Sequence, residues 1–299
     1  MSSFEYRKRG PVDCPAELDY TRVRGRTVIV TGGSNGLGKA YVTAFADSGA
    51  FVVNGDMAPP AKPYTTSNML FVKCDVTSWE DQIELFQAAK AKSPNGGIDI
   101  VVANAGRFKD DRFDSSIPIK LDLTMLNIHV YGTYFTAKLA SHYFSQQPKD
   151  NDRCLILVGS VMSYLDTYGA VGYGYAKHAI RGLMGVLRRR GIMRVNMVAP
   201  WFTPSTVNTL EYQKILEDLF ASQGLSFALV EDAVRAIMRI ATDPTLNGRT
   251  LSNVPRNVAT SGYLDVNSDD FQDGSLWDRF QKSVAEIPYP QLAQPKSKL

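Results

Sequence analysis

Short β-branched runs alternate with longer apolar stretches at helical spacing through most of the chain. Residues 27–30, Thr-Val-Ile-Val, suit a buried strand. A glycine-rich turn follows. A helical pattern then runs through Ala40, Tyr41, Val42, Phe45 and Ala46 and is closed by Gly49. Residues 51–53 and 69–72 give a second and a third strand. Thr77 and Glu80 form a capping box that predicts a helix through Ile83, Leu85 and Phe86. Residues 98–102 predict a fourth strand, 123–144 a long helix and 155–158 a fifth strand. Residues 173–190 then read as a helix, 194–198 as a sixth strand, 230–241 as a helix, and 249–251 as the start of a seventh strand.

Strands that alternate with helices imply βαβ units, an α/β protein with a parallel sheet. Residues 1–25 carry Pro11 and Pro15, show no period, and are expected as a surface extension. Residues 26–262 are expected to form the domain. Segment 201–228 breaks its rhythm after a strand's carboxyl end, where open α/β sheets bind ligands. Residues 263–299 are expected as a C-terminal extension with a short helix from Leu276 to Val284, followed by Pro288, Pro290 and Pro295.

With 299 residues, 44% of them hydrophobic and 21% charged, bulk disorder is excluded. A net charge of +3 gives no case for nucleic-acid binding, and Arg188-Arg189-Arg190 is expected as a solvated helix end. No run of about 18 apolar residues predicts a membrane span, and the N-terminal residues lack the apolar core of a signal peptide. Cys14, Cys74 and Cys154 read as reduced thiols of an intracellular protein. His129, His142 and His178 form no ligand pair, so neither a metal site nor a catalytic histidine is expected.

The chemistry is concentrated in two places. Thr31-Gly32-Gly33-Ser34-Asn35-Gly36-Leu37-Gly38 lies between a strand and a helix. Glycine there lets the backbone turn tightly and approach a pyrophosphate, whose charge meets free N–H groups at the helix start. Asp56 ends the second strand, 24 residues after Gly32, where a carboxylate accepts from an adenosine ribose and repels a 2′-phosphate. A bland reading makes Asp56 a turn residue before Pro59-Pro60. The second place is a tyrosine four residues before a lysine. Chance supplies fewer than one such pair, and two exist. Tyr134/Lys138 sits mid-helix and reads as two neighbours on one face. Tyr173/Lys177 starts a helix, with Ser160 13 residues earlier, just past a strand end; Ser163 is a poorer candidate.

Over about residues 26–255 the chain resembles the short-chain dehydrogenase/reductase family. The glycine turn matches its cofactor motif, Cys74-Asp75-Val76 its adenine-contacting acidic motif and Asn104-Ala105-Gly106 its strand-four motif. Asn127, Ser160, Tyr173 and Lys177 match the catalytic tetrad. Arg194-Val195-Asn196 with Pro200, and Asn247-Gly248-Arg249, match the last two parallel strands. The resemblance implies a doubly wound Rossmann fold, mostly seven parallel strands with helices on both faces. It also implies an NAD(P)-dependent oxidoreductase that forms a homo-oligomer. The cofactor residues it implies are Gly32, Ser34, Asn35, Gly36, Leu37, Gly38, Asp56, Asp75, Val76, Asn104, Gly106, Tyr173, Lys177, Phe202 and Thr203. Two departures stand out. Trp201 replaces the family's usual glycine, as in fungal members, and Lys177 and Asn196 lie only 19 residues apart.

On this reading Tyr173 is the acid/base, Lys177 favours its phenolate, Ser160 holds the substrate oxygen and Asn127 helps hold a relay water. Hydride passes between a secondary alcohol or ketone and nicotinamide. The competing reading is a cofactor-holding protein that acts as a cyclase, isomerase or scaffold. Asp56, with no cation on Ser34, Asn35 or Met57, favours NAD(H) over NADP(H). Tyr164 and Trp201, with Phe202 and Tyr168 near them, predict a hydrophobic or ring-bearing substrate, with an acyl-coenzyme A as rival. Such a product fits secondary metabolism. The ending Ser297-Lys298-Leu299 is the tripeptide read by the peroxisomal import receptor, so a peroxisomal location is expected, with the cytoplasm as alternative.

Overall fold

Consecutive branched side chains leave neither face of a strand polar, so Thr27–Thr31 can only sit where both faces are covered. The computed structural model describes residues 6–109, 113–148, 150–166, 169–204 and 210–287, and there β1 (Thr27–Thr31) is buried throughout. Helix α1 (Gly36–Asp47) returns the chain to β2 (Phe51–Asp56). β3 (Met69–Lys73), α2 (Trp79–Lys92) and β4 (Ile100–Ala103) follow. Next come α3 (Thr124–Leu126), a π-helical turn (Asn127–Gly132) and α4 (Thr133–Ser145). β5 (Cys154–Val158), a 3-10 turn (Val161–Ser163), α5 (Val171–Leu187) and β6 (Arg194–Val198) complete the central part. α6 (Leu210–Ser222), α7 (Val230–Thr242), β7 (Thr250–Asn253) and β8 (Tyr263–Asp265) close this unit, which ends at Val266.

The sheet order is β3-β2-β1-β4-β5-β6-β7-β8. Seven strands are parallel, and β8 pairs antiparallel with β7. The sheet therefore has eight strands rather than seven, and the eighth falls in the segment read as a C-terminal extension. Three residues are too few to show a period. β8 is fixed instead by a turn at Gly262 (φ 74°) and by an ion pair between the Arg249 guanidinium and the Asp265 carboxylate. One face of the sheet packs on α1 and α7 through Tyr41, Phe45 and Ile237. The other packs on α2, α4 and α5 through Phe86, Phe144 and Met184. The order reverses at β1/β4, which opens a crevice at their carboxyl ends.

Three local expectations change. The cap of α2 is Ser78, whose hydroxyl accepts the Asp81 N–H at 3.1 Å, while Thr77 donates to Asp75. Residues 6–25 do more than lie on the surface. Cys14 and Val23 enter the core beside α7, and the Val12 N–H donates to Asp265 at 2.9 Å. Arg188 is buried, donates to the Gly248 carbonyl at 3.1 Å and stacks on Tyr6, so it is no solvated helix end. The three cysteines are free and buried. Among the described residues no helix is long and apolar enough to cross a membrane, and no cluster of metal-ligating side chains exists.

Residues 267–287 belong to a second unit. Its helix α8 (Leu276–Ala285) is capped by Ser275, whose hydroxyl accepts from Asp278 N–H, and Phe271 stacks on Trp277.

Candidate active site

The crevice is built first by glycine. Gly32 adopts φ 68° and its N–H donates to the Gly55 carbonyl at 2.7 Å. A Cβ on Gly32 would stand 2.7 Å from the Ala105 Cα, and one on Gly38 would stand 2.0 Å from the Gly32 carbonyl oxygen. Turn, helix and β4 can approach this closely only without those side chains. Asn104 locks the arrangement: its amide donates to the carbonyls of Thr31 (2.9 Å) and Gly32 (3.0 Å). Gly36 also has a left-handed φ, 53°, yet nothing lies within 4 Å of where its Cβ would be.

That open side faces the start of α1. Asn35 is the cap residue but makes no side-chain cap bond, so the first amides of α1, with Leu37 among them, are left for another acceptor. An uncapped helix start beside a glycine with open space fits a pyrophosphate. Asp56 is placed for the ribose end, and its carboxylate already accepts the Ser34 N–H at 2.9 Å. Asn54, Tyr64 and the Ala58 carbonyl share the hydrogen bonds around the Ser34 hydroxyl and hold the loop after β2 against the turn. Asp75 accepts from both Thr77 N–H and its hydroxyl through Oδ1, and Val76 is buried against Gly132. The residues present therefore fit a dinucleotide.

The reacting end lies at the carboxyl ends of β4 and β5. Ser160 leaves β5 in extended backbone and caps the 3-10 turn by accepting the Met162 N–H at 3.2 Å. Its side chain is near enough to the Tyr173 phenol to lower it. Ser163 is fully buried, and its hydroxyl accepts the Ser160 N–H, which makes it a brace rather than a second candidate. Lys177, one turn along α5 from Tyr173, is 4% exposed and donates to the Val158 carbonyl at 3.1 Å. Its ammonium stands 5.4 Å from the Tyr173 ring centre. Burial pushes the lysine down to about 7 and the Tyr173 phenol up, Ser160 pulling the phenol part of the way back.

Asn127 makes no hydrogen bond to this group among the described residues. It is exposed at the first position of the π-helical turn, and the residue that reaches Tyr173 is His129. The two rings meet edge to face with centres 5.6 Å apart. The buried stripe of this helix runs Met125, His129, Thr133, Thr136, Ala140, Phe144, so helical spacing from Met125 selects 129 and puts 127 on the opposite side. That periodicity was the available signal. Phe108, just beyond the Asn-Ala-Gly motif, is a second residue that sequence reasoning missed. Its ring lies 5.7 Å from Tyr173. Gly106 belongs to the same contact, since a Cβ there would stand 2.4 Å from the His129 ring.

On the substrate side, Trp201 packs on Phe202 and Phe220, and its indole N–H donates to the Ser226 carbonyl at 3.0 Å. These rings join α6 to the end of β6. Thr203 follows at the edge of the described residues. Part of segment 201–228 (residues 205–209), Tyr168 and the final tripeptide lie outside the described residues. Tyr164 is no open pocket wall: its hydroxyl donates to Thr250 at 2.7 Å, and the Arg181 guanidinium covers its ring at 4.1 Å.

Comparison with known proteins comes to the same place. The pattern of the short chain dehydrogenase family matches residues 26–215. The chain is 32% identical over 294 residues to a 5′-hydroxyaverantin dehydrogenase of Dothistroma septosporum, covering 88% of this chain and 94% of that protein. It is 28% identical over 296 residues to an NADP-dependent dehydrogenase of a Phoma species, covering 89% and 87%. Among solved structures, the ligand-free aldohexose dehydrogenase of Thermoplasma acidophilum shares the fold, with TM-score 0.68, 20% identity, and coverage of 78% and 94%.

Proposed function

The chain belongs to the short-chain dehydrogenase family, an oxidoreductase acting on CH–OH groups, and from that premise we propose that it interconverts a ring-bearing secondary alcohol and its ketone with NAD(H). The observation that carries the reaction is the single cluster of Ser160, Tyr173 and Lys177 at the crevice. Nicotinamide, when bound, supplies or accepts the hydride. In oxidation Tyr173 takes the substrate hydroxyl proton, and in reduction it returns it. Ser160, beside the phenol, is placed to hold the same substrate oxygen. Lys177 places positive charge beside the phenol, and burial of the lysine weakens the screening of that interaction. An intact cluster speaks against the scaffold reading. The test is Tyr173→Phe, assayed by reduced-cofactor absorbance against a panel of secondary alcohols and ring ketones. Full activity of that variant would end the assignment.

The finer points rest on less. The Asp56 carboxylate beside the Ser34 amide supports NAD(H), and the NADP-dependent relatives make calorimetry with both cofactors the deciding measurement. Equal or tighter NADPH binding would overturn the choice. The Dothistroma relative, by its name a dehydrogenase of 5′-hydroxyaverantin, supports a hydroxyl-bearing substrate and a role in secondary metabolism. Assembly as a homo-oligomer is read by light scattering. Peroxisomal import through Ser297-Lys298-Leu299 is read by an N-terminal fluorescent fusion with and without Leu299.

A further inference from the structure

Two rings meet Tyr173, the buried His129 and the largely exposed Phe108. His129 meets it edge to face at 5.6 Å with an interplanar angle of 90°, and Phe108 meets it at 5.7 Å and 70°. The two rings are themselves connected. His129 Nε2 lies 2.8 Å from the Arg107 carbonyl oxygen and 3.3 Å from the Arg107 N, so the imidazole is held against the backbone of the residue next to Phe108. Gly106 completes the joint, because its missing side chain is what lets the imidazole lie against β4's end. The other ring nitrogen, Nδ1, is buried and without a partner among the described residues.

An unpaired buried ring nitrogen is uncommon in a settled core. Here it accompanies a ring 2% exposed, in a segment wound as a π turn, a deviation that recurs at functional sites. The groups around the ring are Tyr173, the Lys177 ammonium and the Arg107 backbone. Burial, then the charge of Lys177, lowers the imidazole to about 4, against the opposing pull of the Arg107 carbonyl. At neutral pH the ring is uncharged and carries no proton between groups. Its effect is one of shape.

We infer that His129 is a positioning residue: its buried ring, packed edge to face on Tyr173, acts as a clamp that keeps the phenol in one orientation toward Ser160 and the substrate oxygen. The inference rests on Tyr173 being the acid/base of the proposed reaction. It explains why the segment from Asn104 to Phe108 and the π turn meet at this point, and why position 129 carries a flat ring.

The test compares His129→Ala, His129→Asn and His129→Phe. Phenylalanine keeps the ring and loses the hydrogen bond; the other two lose the ring. Two readouts are used. The first needs no substrate: 3-fluorotyrosine labelling gives Tyr173 a fluorine resonance, identified by its loss in Tyr173→Phe. A clamped ring flips slowly and shows two resonances or one broadened one; a released ring gives one sharp averaged line. The second is kcat and KM for the most active ring ketone of the panel with NADH. The clamp predicts slow flipping and kcat within about threefold of the parent in His129→Phe. It predicts fast flipping and kcat at least tenfold lower, with KM and NADH affinity little changed, in the other two. His129→Asn decides the matter if the alanine variant does not fold. Fast flipping already in the parent, or ring flipping and kcat unchanged in His129→Asn, would overturn the inference. If the parent reduces no ketone, the proposed reaction fails while the resonance still decides the clamp.

Discussion

Replacing Lys177 by methionine should raise the stability of the folded chain near neutral pH while it removes activity. The lysine is 4% exposed, and burial lowers it from 10.5 to about 7. An unfolded chain therefore binds more protons than the folded one between pH 7 and 10.5, so this group's contribution is most unfavourable below 7 and fades as pH rises. The shift corresponds to roughly 5 kcal/mol in acid, about 4 at pH 7 and about 2 at pH 9. Methionine has a similar length and no charge to desolvate. Against that gain stands the Val158 carbonyl, which loses its 3.1 Å donor at about 1–3 kcal/mol. The net effect at pH 7 is a gain of about 1–3 kcal/mol. The sharper quantity is its pH dependence: the advantage of the variant should shrink by about 2 kcal/mol between pH 7 and 9. Urea unfolding of both proteins at the two pH values, without cofactor, measures it. A difference independent of pH, or a variant less stable at pH 7, would refute the reasoning, because the amine would then reach water in the folded protein.

Other substitutions test the frame around the site. Gly38→Ala puts a methyl 2.0 Å from the Gly32 carbonyl oxygen, which Asn104 holds in place; stability should fall by at least about 2 kcal/mol, and NADH affinity with it, by thermal unfolding and fluorescence titration. Asn104→Ala removes two donors from the carbonyls of Thr31 and Gly32, an expected loss of about 2 kcal/mol in urea unfolding, and should weaken cofactor binding more than it changes kcat. Asp152→Ala leaves the Arg194 guanidinium, 2% exposed, without its carboxylate and should cost about 3–5 kcal/mol. Burial would raise the Asp152 carboxyl, but the bonds from Arg194 and Arg26 outweigh it and hold it low. The parent should therefore keep this contribution above about pH 4 and lose it as pH falls further, while the variant lacks that step.

Which parts of this protein could be read in one dimension follows from the range of the forces involved. The strand Thr27–Thr31, the glycine turn and the helix after it are specified locally, because β-branching, backbone freedom and apolar period act over neighbouring residues. Tyr173 and Lys177 share one helical turn, so their contact was legible, and Ser160 followed from its place after a strand. β8 was not legible, since its pairing with β7 depends on Arg249 and Asp265 meeting across 16 residues. The same holds for the segment before β1, which is tied down by Val12 to Asp265, 253 residues apart. Arg188 looked like a solvated end because nothing nearby in sequence announces Gly248 or Tyr6. Tyr164 looked like a pocket wall until Thr250 and Arg181 were found to take its hydroxyl and ring. The appearance of His129 beside Tyr173 is the most instructive case. The sequence held the answer in the buried stripe from Met125 to Phe144, but only the tertiary structure brings Phe108 and Tyr173 to that stripe. Local chemistry determined which residues could react; packing between distant segments decided which neighbours hold them.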